Sequence, residues 1–443
     1  MTKRLDLMLF SLLAILLVVA PLFRGGLEAR AMLFLELISL VLFSLILWQR
    51  LYLQFLTKLE LLLVIFIFLV PLLYLLPLPY SIFLELPGRD LYVNVKEWVA
   101  SLDTSSAFYN PMSLIPSETE QSFLLLLLPL SIFIATKSLP FSSLKKLLTL
   151  FLWIAAFEAL LALLQYPNNL DSIYHLGMEF GSKTGHGTYL NRDHFVALME
   201  MSFPFALALL FYNFGSIKHG KERFFNLTVL FLALAILLLI GAIFSKSRSG
   251  GFLMLVGLLL STFIYANHIG GRRTAGFSLL FGSISLGVGM TIGLIPIINR
   301  FIGADPMKDA RKEIFENTII GIQQFWPFGS GPGTFPDVYR AFQPIDQLHF
   351  IVHVHNDYLE LLFDVGIFAV IGIAGYFLLY LYQLKKLHDR KWAEDKFIQT
   401  AAGIGLFLFL LHSLSDFNLH TPANALFFAF LNGIYFSAGR KKQ

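Results

Sequence analysis

The chain changes character within the stretch that begins at residue 353 and reads His353-Val354-His355-Asn356-Asp357-Tyr358-Leu359-Glu360. Up to residue 357 the stretch is polar, with two imidazoles, an amide and a carboxylate. From Tyr358 to Tyr382 the chain is almost wholly apolar and exceeds the roughly 20 residues that a helix needs to cross a bilayer. The sequence therefore predicts a polar loop that enters a membrane helix at this point. Imidazoles can accept and release a proton near neutral pH, so the junction is a candidate for proton transfer.

The composition of the whole chain is that of a helical membrane protein. Of its 443 residues, 56% are hydrophobic and 14% are charged, and the mean hydropathy is +0.70. A soluble domain carries about 25% charged residues. The chain has no cysteine, which excludes disulfides and thiolate metal sites. We expect the apolar run after the basic start to be a first membrane helix and not a cleaved signal peptide, because no small-residue cleavage site follows it.

Apolar runs of membrane-spanning length predict an all-α polytopic protein with about twelve transmembrane helices. The runs lie near residues 5–22, 31–48, 59–79, 122–136, 144–166, 194–214, 225–244, 250–268, 276–298, 358–383, 397–414 and 422–438. Residues 1–298 would hold helices one to nine with outer segments at 80–121 and 167–193. Residues 299–357 would form a large outer loop, and residues 358–443 would hold helices ten to twelve. Near-helical spacing of apolar residues predicts an amphipathic helix over about 307–324 in the large loop.

The orientation follows from the lysines and arginines of the short loops. Most of them fall on one side if both termini are cytoplasmic, and the basic tail Arg440-Lys441-Lys442 agrees with this arrangement. The loop 299–357 would then face the outside.

Three arginines and one aspartate near predicted span ends are candidates for binding or catalysis. Arg248 lies in a tight turn among serines and glycines, where its planar fork of donors could match phosphate oxygens. Arg192 could make a second phosphate contact or an ion pair with Asp193, and Arg311 could contact phosphate or lie on a solvated face. Asp416 in the last outer loop could orient a catalytic group or cap a helix.

The histidines of the large loop raise the question of a metal. The spacing of His349, His353 and His355 is loose, and no acidic residue lies at a typical ligand interval. We therefore predict neither a metal nor a cofactor.

Taken together, these segments resemble the O-antigen ligase and O-antigen polymerase superfamily of bacterial envelope glycan transferases. The resemblance is carried by His355-Asn356-Asp357-Tyr358-Leu359-Glu360-Leu361-Leu362 followed by Gly366 and Gly372. It is supported, in the family's order, by Gly187-Thr188-Tyr189-Leu190-Asn191-Arg192, Ser247-Arg248-Ser249-Gly250, Pro327-Phe328-Gly329-Ser330-Gly331-Pro332-Gly333-Thr334-Phe335 and His412-Ser413-Leu414-Ser415-Asp416-Phe417.

The resemblance implies a metal-independent, cofactor-free glycosyltransferase of the bacterial inner membrane. Such an enzyme moves a glycan from undecaprenyl diphosphate to an acceptor hydroxyl at the periplasmic face. Its partners would be the lipid-linked donor, a lipid A-core or other glycan acceptor, and membrane lipids, with no nucleic acid. By this analogy His355 is the general base and Arg192, Arg248 and Arg311 bind the diphosphate. Supporting positions are Asn356, Asp357, Asp416 and His353.

The two loop histidines should differ in role. Residues at i and i+2 point the same way in an extended segment and diverge in a helical turn. We expect a helical turn at His355, so that only one ring, that of His355, reaches the reacting atoms.

Three readings of the function remain open at this point. The first is ligation of a preassembled glycan to lipid A-core in lipopolysaccharide biosynthesis. The second is polymerisation of lipid-linked repeat units of O-antigen or exopolysaccharide. The third, from another class, is a transporter of lipid-linked sugars, which would be expected to show internal repeats and broken spans at the midplane.

Overall fold

A computed structural model describes residues 3–90, 110–166, 184–216, 222–269 and 306–437, apart from residues 346 and 348, together with the isolated positions 93, 98, 101, 176 and 283. Four regions of the predictions lie outside the described residues: most of the span 276–298, the middle of the outer segment 80–121, most of the outer segment 167–193, and the basic tail.

The described chain is almost entirely helical. Its α-helices, numbered in chain order, are α1 (Lys3–Leu22), α2 (Ala29–Trp48), α3 (Leu51–Phe55), α4 (Lys58–Tyr74), α5 (Tyr80–Glu85), α6 (Pro116–Ser138), α7 (Phe141–Gln165), α8 (Arg192–Ser216), α9 (Glu222–Phe244), α10 (Arg248–Ile269), α11 (Pro306–Phe325), α12 (Phe335–Val338), α13 (Asp357–Val365), α14 (Ile367–His388), α15 (Glu394–His412) and α16 (Pro422–Tyr435). Short 3₁₀ turns cover Arg24–Gly26, Tyr339–Ala341 and Asn418–His420. Two-residue strands β1 (Pro77–Leu78) and β2 (Asn110–Pro111) pair antiparallel.

Eight helices of the described chain are long and apolar enough to cross a membrane: α1, α2, α6, α7, α8, α9, α10 and α14. This confirms an all-α polytopic membrane protein. The run at 122–136, short by sequence, belongs to the 23-residue helix α6. Helices α4 and α16, with 17 and 14 residues, are shorter than the runs that predicted them. The total of about twelve transmembrane helices stays a prediction.

Helix α8 forms the axis of the bundle. Of its most apolar window 89% is buried, against at most 50% for the other candidate spans. It packs against α7, α9, α10, α15 and α16. A helix that is apolar on every face lies either among other helices or against lipid, and the burial of α8 shows the first case. Two of its ionisable side chains, His194 and Glu200, are held in the interior.

The apolar run at 358–383 is broken, which differs from the single membrane helix predicted there. Helix α13 ends at Val365 and α14 begins at Ile367. Between them Gly366 has φ +51° and ψ −122°, and a Cβ at this position would lie 2.1 Å from the carbonyl oxygen of Pro327. Only glycine tolerates both conditions, so the chain turns here. Helix α13 packs on α11 and α12, whereas α14 packs on α4.

A separate small core holds α11, α12 and α13 together. Helix α11 lies where the sequence predicted a helix over 307–324. The buried side chains of this core are Leu114, Ile314, Phe325, Phe335, Val338, Tyr339, Val354 and Phe363. This core fixes α13, and hence the polar residues before it.

The glycine-rich stretch 329–333 lies against the end of α13. The backbone N–H of Gly333 donates to a carboxylate oxygen of Asp364 at 2.7 Å, and that of Ser330 donates to the carbonyl of Phe363 at 3.0 Å. The buried guanidinium of Arg89 donates to the carbonyl of Gly329 at 2.9 Å. The glycine-rich stretch therefore binds an acidic side chain of the chain itself, that of Asp364.

Candidate active site

Asn356 caps helix α13 and ties it to the loop after α15. Its side-chain oxygen accepts hydrogen bonds from the backbone N–H groups of Tyr358 at 3.0 Å and Leu359 at 3.1 Å. Its amide nitrogen donates to the carbonyl of Leu414 at 2.9 Å. Asparagine is among the preferred N-cap residues because it satisfies these donors. Asn356 is thus a helix cap, and its supporting role in the site stays a prediction.

His355 lies before the helix and not in its first turn, which corrects the helical geometry expected there. Its φ is +60°, in the left-handed region that non-glycine residues rarely occupy. Such a conformation costs on the order of 1–3 kcal/mol and persists where the surrounding contacts fix it. The two loop imidazoles nevertheless diverge, because His353 turns to Glu360 and His355 to Asp416.

The His355–Asp416 pair has the arrangement of a base with its orienting carboxylate. Nδ1 of His355 lies 3.3 Å from Oδ1 of Asp416. The carboxylate is 1% exposed, whereas the imidazole is 32% exposed. If Nδ1 carries the proton and donates it to Asp416, Nε2 holds the lone pair that can accept one from a substrate. The ring of Phe417 contacts His355 edge-on, with centroids 4.9 Å apart.

Asp416 also faces a third group, His194 of α8, which sequence reasoning did not select. Oδ2 of Asp416 lies 3.6 Å from Nε2 of His194, and Nδ1 of His194 lies 2.7 Å from the hydroxyl of Thr421. His194 is 2% exposed. In the sequence, His194 is visible only as a histidine near Arg192 at the start of an apolar run. Its partners Asp416 and Thr421 lie more than two hundred residues away along the chain, so no local pattern indicates the contact.

The charge of Asp416 is stabilised by its neighbours. Burial alone would raise its pKa, but the hydrogen bond from His355 and the electrostatic interactions with nearby imidazoles, His194 first, outweigh burial and hold the pKa below its ordinary value. Asp416 is therefore a carboxylate at neutral pH. At Asp357, burial outweighs the hydrogen bond from the backbone N–H of Leu419 and raises the pKa well above its usual range.

A second buried pair braces the same region. Nδ1 of His412 lies 3.1 Å from a carboxylate oxygen of Glu200, and its Nε2 lies 3.2 Å from the hydroxyl of Ser249. These contacts connect the end of α15 to α8 and to the first turn of α10. Because Arg248 precedes Ser249, they fix where the backbone of Arg248 stands.

The three predicted phosphate-binding arginines approach this region from different helices. Arg192 and Arg248 are the first residues of α8 and α10. Arg311 lies on α11 and donates to the carbonyl of Ser415 at 3.4 Å, one residue before Asp416. No ion pair joins the described side chains of Arg192 and Asp193, and phosphate binding by Arg192 stays a prediction.

Four helix N-termini meet at the segment 412–421. Asp357 at the start of α13 donates its backbone N–H to Ser413 at 3.0 Å, and Asn424 in the first turn of α16 donates to the carbonyl of His194 at 3.0 Å. The starts of α8 and α10 contact the segment through His194 and Ser249. Helix N-termini carry positive partial charge and favour a bound anion.

A further cluster lies beside the His355–Asp416 pair. Oε1 of Glu360 is 2.9 Å from Nδ1 of His353 and 3.2 Å from Nε2 of His420. Sequence spacing did not reveal this acidic partner, because the helical turn of α13 and the distant loop of His420 bring the groups together only in the fold.

Comparison with known proteins identifies a related family. Residues 233–374 match a family model described as O-Antigen ligase. The resemblance to the O-antigen ligase family is thereby confirmed. The matched residues include Arg248, Arg311 and His355, and they exclude Arg192, His194 and Asp416.

The chain is also similar to the teichuronic acid biosynthesis protein TuaE of Bacillus subtilis (strain 168). The two are 22% identical over 253 residues, which is 55% of this chain and 50% of TuaE. The match thus spans about half the length of that relative. Both similarities are to proteins of polysaccharide biosynthesis.

Proposed function

We propose that the protein transfers a glycan from undecaprenyl diphosphate to an acceptor sugar hydroxyl at the periplasmic face of the bacterial inner membrane. The observation that carries the proposal is the His355–Asp416 pair, a partly exposed imidazole oriented by a buried carboxylate. In this arrangement both termini are cytoplasmic and the loop 299–357 is periplasmic.

His355 acts as general base. Its Nε2 accepts the proton of the acceptor hydroxyl while the oxygen attacks the anomeric carbon of the donor. The bond from that carbon to the diphosphate oxygen breaks, and undecaprenyl diphosphate leaves with the electron pair. Asp416 keeps its charge, orients the imidazole and stabilises the imidazolium, as the carboxylate does in a catalytic triad. The proton then passes to solvent.

The leaving diphosphate is stabilised by fixed cations. Arg192, Arg248 and Arg311 each offer a planar fork of donors, and the four helix N-termini add positive potential. In a site partly closed to water, such preorganised groups act more strongly than they would in solvent. The donor is already activated as a diphosphate, so we propose that no metal ion acts in the transfer step.

The acceptor distinguishes two versions of this chemistry. Ligation takes a lipid A-core hydroxyl, and polymerisation takes the terminal sugar of another lipid-linked repeat unit. Both use the same base and the same leaving group. An assay that offers both acceptors to one purified protein therefore separates them.

The test is single-turnover transfer from a lipid-linked donor by the purified full-length protein. His355→Gln keeps a hydrogen-bonding side chain but cannot take the proton, and general-base catalysis is typically worth about 10²–10⁴ in rate. We expect a loss of that size in His355→Gln and in His355→Ala, with donor binding retained. His349→Ala, at an exposed histidine of the same loop, should transfer at the wild-type rate. Wild-type turnover in His355→Gln would overturn the role of base.

A further inference from the structure

We propose that His353, Glu360 and His420 form a binding site for one divalent transition-metal ion, with zinc as the best fit. Their ligand atoms, Nδ1, Oε1 and Nε2, all lie within 4.8 Å of one another. Oε1 is 2.9 Å from Nδ1 and 3.2 Å from Nε2. Zinc bonds of 2.0–2.2 Å in a tetrahedral site place neighbouring ligand atoms about 3.4 Å apart, so small shifts of these side chains admit the ion.

Asp357 supplies a second, independent observation. Its Oδ1 is buried without a hydrogen-bond partner and lies 3.7 Å from Nε2 of His420. The other oxygen, Oδ2, accepts from the backbone N–H of Leu419 at 3.2 Å. A buried polar atom without a partner costs about 1–3 kcal/mol, so its orientation toward the cluster calls for a ligand. Oδ1 of Asp357 is the natural fourth donor to the ion.

The donor set of the cluster also suits a cation. The carboxyl groups of Asp357 and Glu360, 1% and 3% exposed, lie against two imidazoles. Among the described residues, no lysine or arginine forms an ion pair with either group. A divalent ion could accept an oxygen from each carboxyl group. Imidazole and carboxylate together suit zinc, cobalt or nickel better than magnesium or calcium, which prefer oxygen alone.

The surrounding contacts already orient the ligands. Oε2 of Glu360 accepts the backbone N–H of Val354 at 3.0 Å, and the ring of His353 stacks on Phe417 with centroids 4.4 Å apart. Such outer contacts are what hold metal ligands in place in known sites. His353 and His420 are 21% and 31% exposed, which gives the ion a route from solvent.

The bound ion would have a structural role, because it would cross-link two segments of the chain. Its ligands come from residues 353–360 and from His420, so the ion would join the segment that carries His355 to the loop that carries Asp416. It coordinates no atom of either member of that pair. The site is therefore distinct from the proposed transfer chemistry and can be tested apart from it.

The experiment measures metal binding to the purified full-length protein in detergent after a chelator has stripped it. Zn(II) is titrated calorimetrically, and Co(II) is titrated by its visible absorption. We expect one ion per chain, a tetrahedral Co(II) spectrum and a rise in Tm with Zn(II). Loss of an outer-shell partner weakens metal binding by about 10–100-fold. His420→Ala removes a direct ligand, so it should weaken binding by more than that and should abolish the rise in Tm. His349→Ala is the matched control and should bind as the wild type does.

Two results would overturn the site. One is the absence of saturable binding at one ion per chain in the wild type. The other is wild-type affinity in His420→Ala or Glu360→Gln, which would mean an adventitious ion only. If Glu360→Gln does not fold, His420→Ala alone serves as the test, because His420 is partly exposed. The inactive variant His355→Gln should still bind the ion, so failure of the metal site and failure of the proposed function give different results.

Discussion

Replacing Asp416 by asparagine keeps the shape of the side chain and removes its charge. The structure gives this carboxylate one catalytic contact, the 3.3 Å approach to Nδ1 of His355. A hydrogen bond to a charged group contributes about 1.5–3 kcal/mol. If that stabilisation acts on the imidazolium of the transition state, its loss lowers the rate of transfer roughly 10- to 150-fold. The distance is long for a charge-assisted bond, so the lower half of this interval is expected.

The assay is single-turnover transfer from a lipid-linked donor, arranged as a double-mutant cycle with His355→Gln. If Asp416 acts through His355, the double variant transfers at the rate of His355→Gln alone, because the carboxylate has no base left to orient. If the two losses multiply, Asp416 acts on something else and the pair is not a catalytic unit. Asp337→Asn, at an exposed carboxylate of the loop 299–357, is the matched control. A measurement of Tm checks that each variant is folded.

Three further outcomes are expected. Arg248→Lys keeps the charge but loses the planar fork, so transfer should stay strongly impaired; a wild-type rate would exclude bidentate phosphate binding. Gly366→Ala should destabilise the protein by about 1–3 kcal/mol, because the position needs positive φ and a Cβ would lie 2.1 Å from a backbone oxygen. The control Gly215→Ala adds a Cβ in open space and should not lower Tm. In the cysteine-free chain, an impermeant thiol reagent should label Ile345→Cys but not Lys391→Cys in spheroplasts; the reverse pattern would invert the topology.

Local sequence patterns predicted the parts of this fold that local forces decide. The apolar runs gave the long helices, because a bilayer-spanning helix must satisfy its backbone internally and present apolar side chains. The helix over Pro306–Phe325 followed from the spacing of its apolar residues. The break at Gly366 was missed, since an isolated glycine in an apolar run reads as a tolerated helix residue until the neighbouring carbonyl of Pro327 is known.

The site was predictable only as single residues. His355 and Asp416 were selected separately, from the junction of loop and helix and from an acid in the last outer loop. Their pairing depends on the approach of the segment after α15 to the start of α13, which no periodicity encodes. His194 and Glu200 were harder still, because a histidine or glutamate in an apolar run gives no sign of its partner. The packing of α15 against α8 supplies those partners, His412 for Glu200 and Asp416 for His194.

The convergence of helix N-termini explains why such a site stands at this end of the bundle. The start of each helix leaves backbone N–H groups without intrahelical acceptors. Four helix starts meet at residues 412–421. Their summed positive potential is offset in part by the buried carboxylate of Asp416, which the imidazoles of His355 and His194 hold in its charged form. Arg192, Arg248 and Arg311, from the starts of α8 and α10 and from α11, add positive charge around the same segment. Under the proposed function, these cations and helix starts would stabilise the negative charge that develops on the leaving diphosphate, because such preorganised groups act where charge forms in the transition state.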